Sequence, residues 1–534
     1  MQNPVVEIQD GQIRGVIKKT VDGREYCAFL GVPYAKPPIG DLRFKDPEPI
    51  DSWTGIKDTT KYGNPCAQID ASGNFIGSED CLFINVCVRS LENVDKPKPV
   101  MVWFHVGGFV YGSGCDLMYG PDYFLRKDIV FVSFNYRLGL LGFLNLEHEV
   151  APGNQGIKDQ LLALKWVQTN IRKFGGDPNN VTAFGGSAGA VSIQILALSP
   201  MGKGLFHRAI NQSGSIHNTW VTIKEPKKYA FRLCTHFGKY QQDPEKMVTF
   251  LRTLNIRPML QTAEKVKKTI ECLYAVYPFT LGVDDKSPNP VLPIRPEELL
   301  LQGIQMPFLF GHNNNEGLYF LLNLHDFTGL KSSDFDRYNK NIDKAINEKA
   351  SDVLKDYNLT KQDLKNMYFK DEKISISNCD KFANMLGDLN IIQGIHKFAR
   401  IQVEKNPYPN YFYIFSYDDE ISSTKLVLPK LLKGCCHADE IEYLFHGTFR
   451  TKRGCNPHQK GTVSYKVMER MIELWTNFAI YGTPTPSTSD ILPIMWEPLD
   501  DANNLQYMDI GRELQMKRML SVDQRFLLAK SKEL

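Results

Sequence analysis

Between Ile129 and Gln212 the chain repeats one unit that few architectures accept: a short β-branched and aromatic run, a helical stripe, then another such run. The runs are Ile129 to Asn135, Val181 to Phe184 and Ala209 to Gln212. Between the first two lies LLALKWVQTNIRKFGG, in which Leu164, Val167, Ile171 and Phe174 fall on one helical face before a Gly-Gly stop. Strand, helix, strand in this order predicts an α/β fold with a parallel sheet. Further runs at Val100 to Phe104, Pro307 to Phe310 and Tyr411 to Ser416 extend it. The N-terminal VVEIQDGQIRGVI alternates around Asp-Gly and predicts a hairpin forming an antiparallel edge.

From about 320 to 405 the composition turns to Lys, Asp and Asn with scattered Leu, Ile and Phe, which predicts amphipathic surface helices inserted between strands. The length of 534 residues would by itself suggest several domains, but no repeat, low-complexity tract or Pro/Gly/Ser linker divides the chain. The expected organisation is one decorated domain over 1–534.

Charge narrows the partners. With 63 basic against 60 acidic residues the formal charge is +3, so no bulk field favours nucleic acid or anionic lipid. No run of about 18 apolar residues occurs to span a membrane, and MQNPVVEIQDGQIRG has no basic-then-apolar leader. If Met1 is the native start, these features predict a soluble cytoplasmic protein; an upstream signal peptide removed in maturation would make it secreted instead. Eleven cysteines, an odd number, suit mostly reduced thiols. Cys66 and Cys81 bracket a polar loop and can bridge in an oxidising compartment.

The chemistry is concentrated in VTAFGGSAGA at 181–190. A glycine run of this kind reads as a flexible loop, a phosphate cradle or a sharp bend holding Ser187. A P-loop needs Gly-Lys-Ser/Thr and there is no lysine; a dinucleotide fingerprint needs Gly at its third place, where Ser187 stands. Ser187 instead follows a strand and precedes AVSIQILAL, the context of a G-x-S-x-G nucleophile elbow. Gly185 and Gly189 then have a steric purpose, since a serine in a strained turn leaves no room for neighbouring side chains.

Serine is a weak nucleophile until a base takes its proton, so an elbow predicts a later carboxylate and, after it, a histidine. FLFGHNNNEGLYF places Glu316 in a polar loop beyond a strand, and KGCCHADEIEYLF places His437 before an apolar segment. Spacing alone does not single them out among eleven histidines and 60 acids. Backbone donors for an oxyanion need glycines where the chain approaches a substrate. Gly107 and Gly108, directly after the strand ending near His105, read equally as such donors or as a plain turn.

Over nearly its whole length the chain resembles the type-B carboxylesterase and cholinesterase family of α/β-hydrolases, most of all the insect alpha-esterase branch. The likeness is carried by FLGVPYAKPPIGDLRF at 29–44, GSEDCLFINV at 77–86, MYGPDYFLRKDIVFVSFNYRLGLLGFL at 118–144, GNQGIKDQLLALKWVQTNIRKFGGDPNNVTAFGGSAGA at 153–190, NQSGS at 211–215, NEGLYF at 315–320 and CHADEIEYLF at 436–445. It implies an α/β-hydrolase fold and two-step acyl transfer on small-molecule esters, with no metal and no cofactor. Ser187 would be nucleophile, His437 base then acid, and Glu316 the carboxylate that fixes the imidazole; Gly107, Gly108 and Ala188 would supply oxyanion amides.

Three positions depart from the family. Val106 stands where a third glycine is usual, and a β-branched residue there narrows the pocket and resists positive φ. Gly186 replaces a frequent glutamate, leaving Ser213 and Glu440 to pair with each other or with water. The loop CAQIDASGNFIGSEDC lacks the tryptophan that holds choline, so acetylcholine is not the expected substrate. Trp220 matches an acyl-pocket position and reads equally as a core aromatic. The leading expectation is a carboxylesterase for small to medium apolar esters, xenobiotics included; the alternatives are a slow-turnover protein that sequesters ester or organophosphorus toxins, and a non-catalytic adhesion relative.

Overall fold

The computed structural model describes residues 3–531 apart from 71, 93, 224, 267–276, 323–331, 371, 420–431 and 453–456. Its frame is an eleven-stranded sheet. In spatial order the strands are Leu514–Leu520, Asn504–Ile510, Asn410–Phe415, Phe308–Asn313, Arg208–Gln212, Gly176–Gly186, Lys98–Phe104, Val130–Phe134, Phe83–Val88, Glu25–Pro33 and Val16–Lys19. From Asn504–Ile510 across to Val130–Phe134 every neighbouring pair is parallel; the pairings outside that block are antiparallel.

The predicted runs form these strands because each is apolar on both faces. In Lys98–Phe104, Val100, Val102 and Phe104 enter one core layer while Met101 and Trp103 enter the other. A parallel sheet is covered by helices on both sides, so alternation of apolar with polar residues is absent from its centre. Helix Gln155–Asn170 and the 3-10 turn Ile171–Phe174 bury Leu164, Val167, Ile171 and Phe174 completely, and Gly175 ends them at φ +79°. Helix Ala188–Leu198 is buried over Ala188 to Leu196, which explains an apolar run with no polar face.

The hairpin at the N-terminus forms as Val5–Ile8 paired with Gly11–Arg14, but it joins Ile56–Asp58 in a small separate sheet. The antiparallel N-terminal edge of the large sheet is made by the next pair, Val16–Lys19 with Glu25–Pro33. The 320–405 segment is helical where described, with Ser332–Asp356, Lys361–Phe369, Cys379–Gly387 and Gln393–Lys405 between two neighbouring strands. It is less superficial than its composition suggests: Phe382, Ala383, Met385, Ile395, Phe398 and Ala399 are all buried. Cys66 and Cys81 are joined as a disulfide. Among the described residues no helix is long and apolar enough to cross a membrane.

Candidate active site

Apart from Trp220, the candidate groups before His437 sit just past the C-terminal ends of parallel strands, where open α/β sheets present their ligand-facing loops. Gly107 and Gly108 follow Lys98–Phe104, Ser187 follows Gly176–Gly186, Ser213 follows Arg208–Gln212 and Glu316 follows Phe308–Asn313.

Ser187 occupies φ +53°, ψ −118°, a conformation that an L-residue adopts only under constraint. The backbone holds it there: its N–H donates to Gln212 O at 2.7 Å, and its carbonyl accepts from Val191 N–H at 3.1 Å. A Cβ on Gly185 would lie 2.7 Å from the Phe104 carbonyl oxygen, and one on Gly189 only 2.1 Å from the same atom. Both flanking glycines are thus dictated by close approach of the neighbouring strand. The Ser187 hydroxyl does not cap the helix that follows, and among the described residues it makes no hydrogen bond to His437. Such contacts often close only when substrate is bound.

His437 and Glu316 do meet. Glu316 Oε2 lies 2.6 Å from His437 Nδ1, across 121 residues of sequence, with the carboxylate fully buried. The other carboxylate oxygen, Oε1, accepts from the Ser213 hydroxyl at 2.5 Å and from the Asn313 N–H at 2.7 Å. Burial by itself raises the Glu316 pKa, but the facing imidazole of His437, the Ser213 hydroxyl and His312 outweigh it and hold the carboxyl below its ordinary value. Burial likewise lowers His437, yet the charge and hydrogen bond of Glu316, with Glu440 and Asp439 behind, carry it above the ordinary 6.5.

Ser213 and Glu440 do not pair with each other. Ser213 serves Glu316, while Glu440 accepts from Gln212 Nε2 at 2.9 Å and Asn313 Nδ2 at 2.6 Å. Gln212 is oriented by Trp475 Nε1, which donates to its Oε1 at 3.1 Å. Asn313 is the junction, since its side chain also donates to Cys436 O at 2.6 Å, next to His437.

Gly107 and Gly108 adopt φ +128° and +61°; a Cβ on Gly107 would fall 1.9 Å from Tyr111 O, so that position requires glycine, while the left-handed backbone at Gly108 favours it. The Gly107 carbonyl ties the turn together by accepting from Val110 N–H at 3.0 Å and Tyr111 N–H at 3.1 Å. Val106 has no positive φ, so its β-branched side chain imposes no backbone distortion there. Its Cγ1 instead fills the space beside Gly186, where an added Cβ would meet it at 2.9 Å. The two departures at 106 and 186 therefore complement each other sterically. Ala188 opens the helix, so its N–H is one of the four amides that helical bonding leaves unpaired.

Val106, Gly107, Gly108, Ser187, Trp220 and His437 line one cavity. Trp220 is both core and wall, 6% exposed and tilted against Phe109 at a 6.1 Å centroid distance. Sequence reasoning did not anticipate Tyr111, Tyr277, Tyr319, Phe320 and Ile391 in the same wall. Tyr319 was within reach, three residues after Glu316 in NEGLYF; Ile391 comes from the inserted helices and carries no local signal.

A profile of the carboxylesterase family matches residues 2–526. The chain is 35% identical over 518 residues to esterase FE4 of Myzus persicae, covering 93% of this chain and 88% of that one. It is 34% identical to the juvenile hormone esterase of Tribolium castaneum, with 91% and 84% covered. Among solved structures it is similar to juvenile hormone esterase from Manduca sexta with OTFP covalently attached, at TM-score 0.82, 28% identity and 99% coverage of both chains.

Proposed function

Because the chain belongs to the carboxylesterase family and is a carboxylic-ester hydrolase, we propose that it cleaves small to medium apolar esters, xenobiotics included, through Ser187, His437 and Glu316. The observation that carries this is the buried Glu316–His437 contact, with its imidazole opening into the same cavity as Ser187. His437 Nε2 takes the Ser187 proton as Oγ attacks the ester carbonyl, and the new oxyanion is met by the amides of Gly107, Gly108 and Ala188. The imidazolium then returns its proton to the departing alcohol. Water, activated by the same imidazole, releases the acid from the acyl-enzyme. Glu316 keeps the Nδ1 proton in place and stabilises the charged ring throughout.

The substrate range rests on the wall: apart from His437, the described lining has no charged side chain, and Val106, Trp220, Phe320 and Ile391 present apolar surface. Juvenile hormone esters, named for two relatives, belong in the same chemical range. The Cys66–Cys81 bridge favours an oxidising compartment, and so the secreted alternative over the cytoplasm.

A panel of aryl esters graded by acyl length, run beside titration with an organophosphate, tests the assignment. Multiple turnovers per titrated site are expected; one burst equal to the enzyme concentration followed by near-silence would establish the sequestering alternative.

The pH profile tests the base. Hydrolysis needs neutral His437, whose pKa lies above 6.5, so kcat/KM should fall as pH drops through a midpoint above that value. A midpoint at or below 6.5 counts against His437 as the group that Glu316 perturbs.

A further inference from the structure

Behind the acid lies a second pair of imidazoles that the chemistry above does not use. His312 sits on strand Phe308–Asn313 and His396 on helix Gln393–Lys405; they are 2% and 0% exposed. Their Nε2 atoms are 3.2 Å apart. Phe412 closes one side, with ring centroids 5.7 Å from each.

The ends of this pair determine where its protons are. The Val522 N–H, at the start of helix Val522–Ser531, points at His396 Nδ1 at 3.0 Å, so that nitrogen must present a lone pair. His396 then carries its proton on Nε2 and donates it to His312 Nε2. His312 in turn carries its proton on Nδ1, which faces Asn313 O at 2.8 Å. Each ring donates once and accepts once, and a proton added to either would set two donors against each other. Glu316, Asp388 and Arg525 face His312, and Arg525 also faces His396; burial dominates these charges and lowers both rings from their ordinary value.

We infer that His312 and His396 are positioning residues for ester hydrolysis: as a neutral, directionally ordered pair they clamp the Asn313 carbonyl and thereby hold Glu316 against His437. The link is Asn313, whose N–H donates to Glu316 Oε1 and whose side chain donates to Cys436 O, beside the base. One residue thus spans both the acid loop and the base loop, and the pair fixes its backbone carbonyl. Displacements of about 1 Å in such a constellation cost on the order of 10²-fold in rate. This inference rests on the roles proposed above for Ser187, His437 and Glu316.

The test compares His396→Phe, His396→Gln and Ser187→Ala on one aryl ester across pH. Phenylalanine breaks the relay, so kcat should fall roughly 10–100-fold with KM changed less than about twofold, and the acid limb should move to lower pH as Glu316 loosens from His437. Glutamine, which accepts through Oε1 and donates through Nε2, should restore most of kcat and the wild-type limb. A folded His396→Phe with an unmoved limb, or a glutamine variant no better than phenylalanine, overturns the positioning role while an inactive Ser187→Ala leaves the esterase assignment standing. Active Ser187→Ala overturns both. Where the phenylalanine variant does not fold, ¹⁵N-histidine spectra of the intact wild-type protein decide. His396 should be protonated only on Nε2 and His312 only on Nδ1 from about pH 6 to 8, and any other pattern refutes the relay.

Discussion

Ser187→Ala is expected to lower turnover of a short aryl ester by about 10⁶ while leaving the protein folded. The size follows from the role: without the hydroxyl no acyl-enzyme forms, and only binding and the oxyanion amides remain to assist direct attack by water. The unchanged fold follows from the geometry. The strained turn at 187 is held by its own N–H and carbonyl, bonded to Gln212 and Val191, and the hydroxyl caps nothing. Alanine meets the same positive φ as serine, so unfolding in urea should shift by no more than about 0.5 kcal/mol. Purified variant that still turns over its substrate at a tenth of the wild-type rate would show that the nucleophile lies elsewhere.

Glu316→Gln should cost on the order of 10⁴ in kcat, more than the loss of one charge would suggest. The Asn313 N–H donates to Oε1 and cannot turn away, so the glutamine carbonyl must take that place. Its NH₂ then faces His437 Nδ1, where Oε2 stood, and forces that nitrogen to accept. The ring proton moves to Nε2, toward Ser187, and the imidazole can no longer take the serine proton. A second signature accompanies the first. Removing the carboxylate takes away the main interaction that raises His437, so the residual acid limb should lie at lower pH than in wild type. Loss of rate with an unmoved limb would mean that Glu316 acts through packing alone.

The sequence disclosed the centre of the sheet better than its rims. Runs such as Val100 to Phe104 and Val181 to Phe184 lie between helices on both faces and declare themselves by unbroken apolar content. Leu514–Leu520, by contrast, is an edge strand whose burial alternates unevenly, and its residues LQMKRML resemble no buried strand. The strained bend at Ser187 was legible because its constraint is local: two glycines, a strand and a helix within a few residues. Glu316 with His437, and His312 with His396, are contacts across 121 and 84 residues, and no pattern within either segment points to the other. The first pair could be named through likeness to a family; the second, which has no such guide, emerges only when strand and helix are assembled. At Val106 the concern about backbone strain was misplaced because the left-handed conformations fall on the next two residues.

Gly185 and Gly189 press from two sides on a single oxygen, the carbonyl of Phe104, and Phe104 ends the strand that leads to Gly107 and Gly108. The turn at Ser187 and the turn at Gly107 and Gly108 are therefore both set against the same peptide. A side chain at either glycine would push on that oxygen and so shift the peptide leading into Gly107 and Gly108 relative to the turn at Ser187.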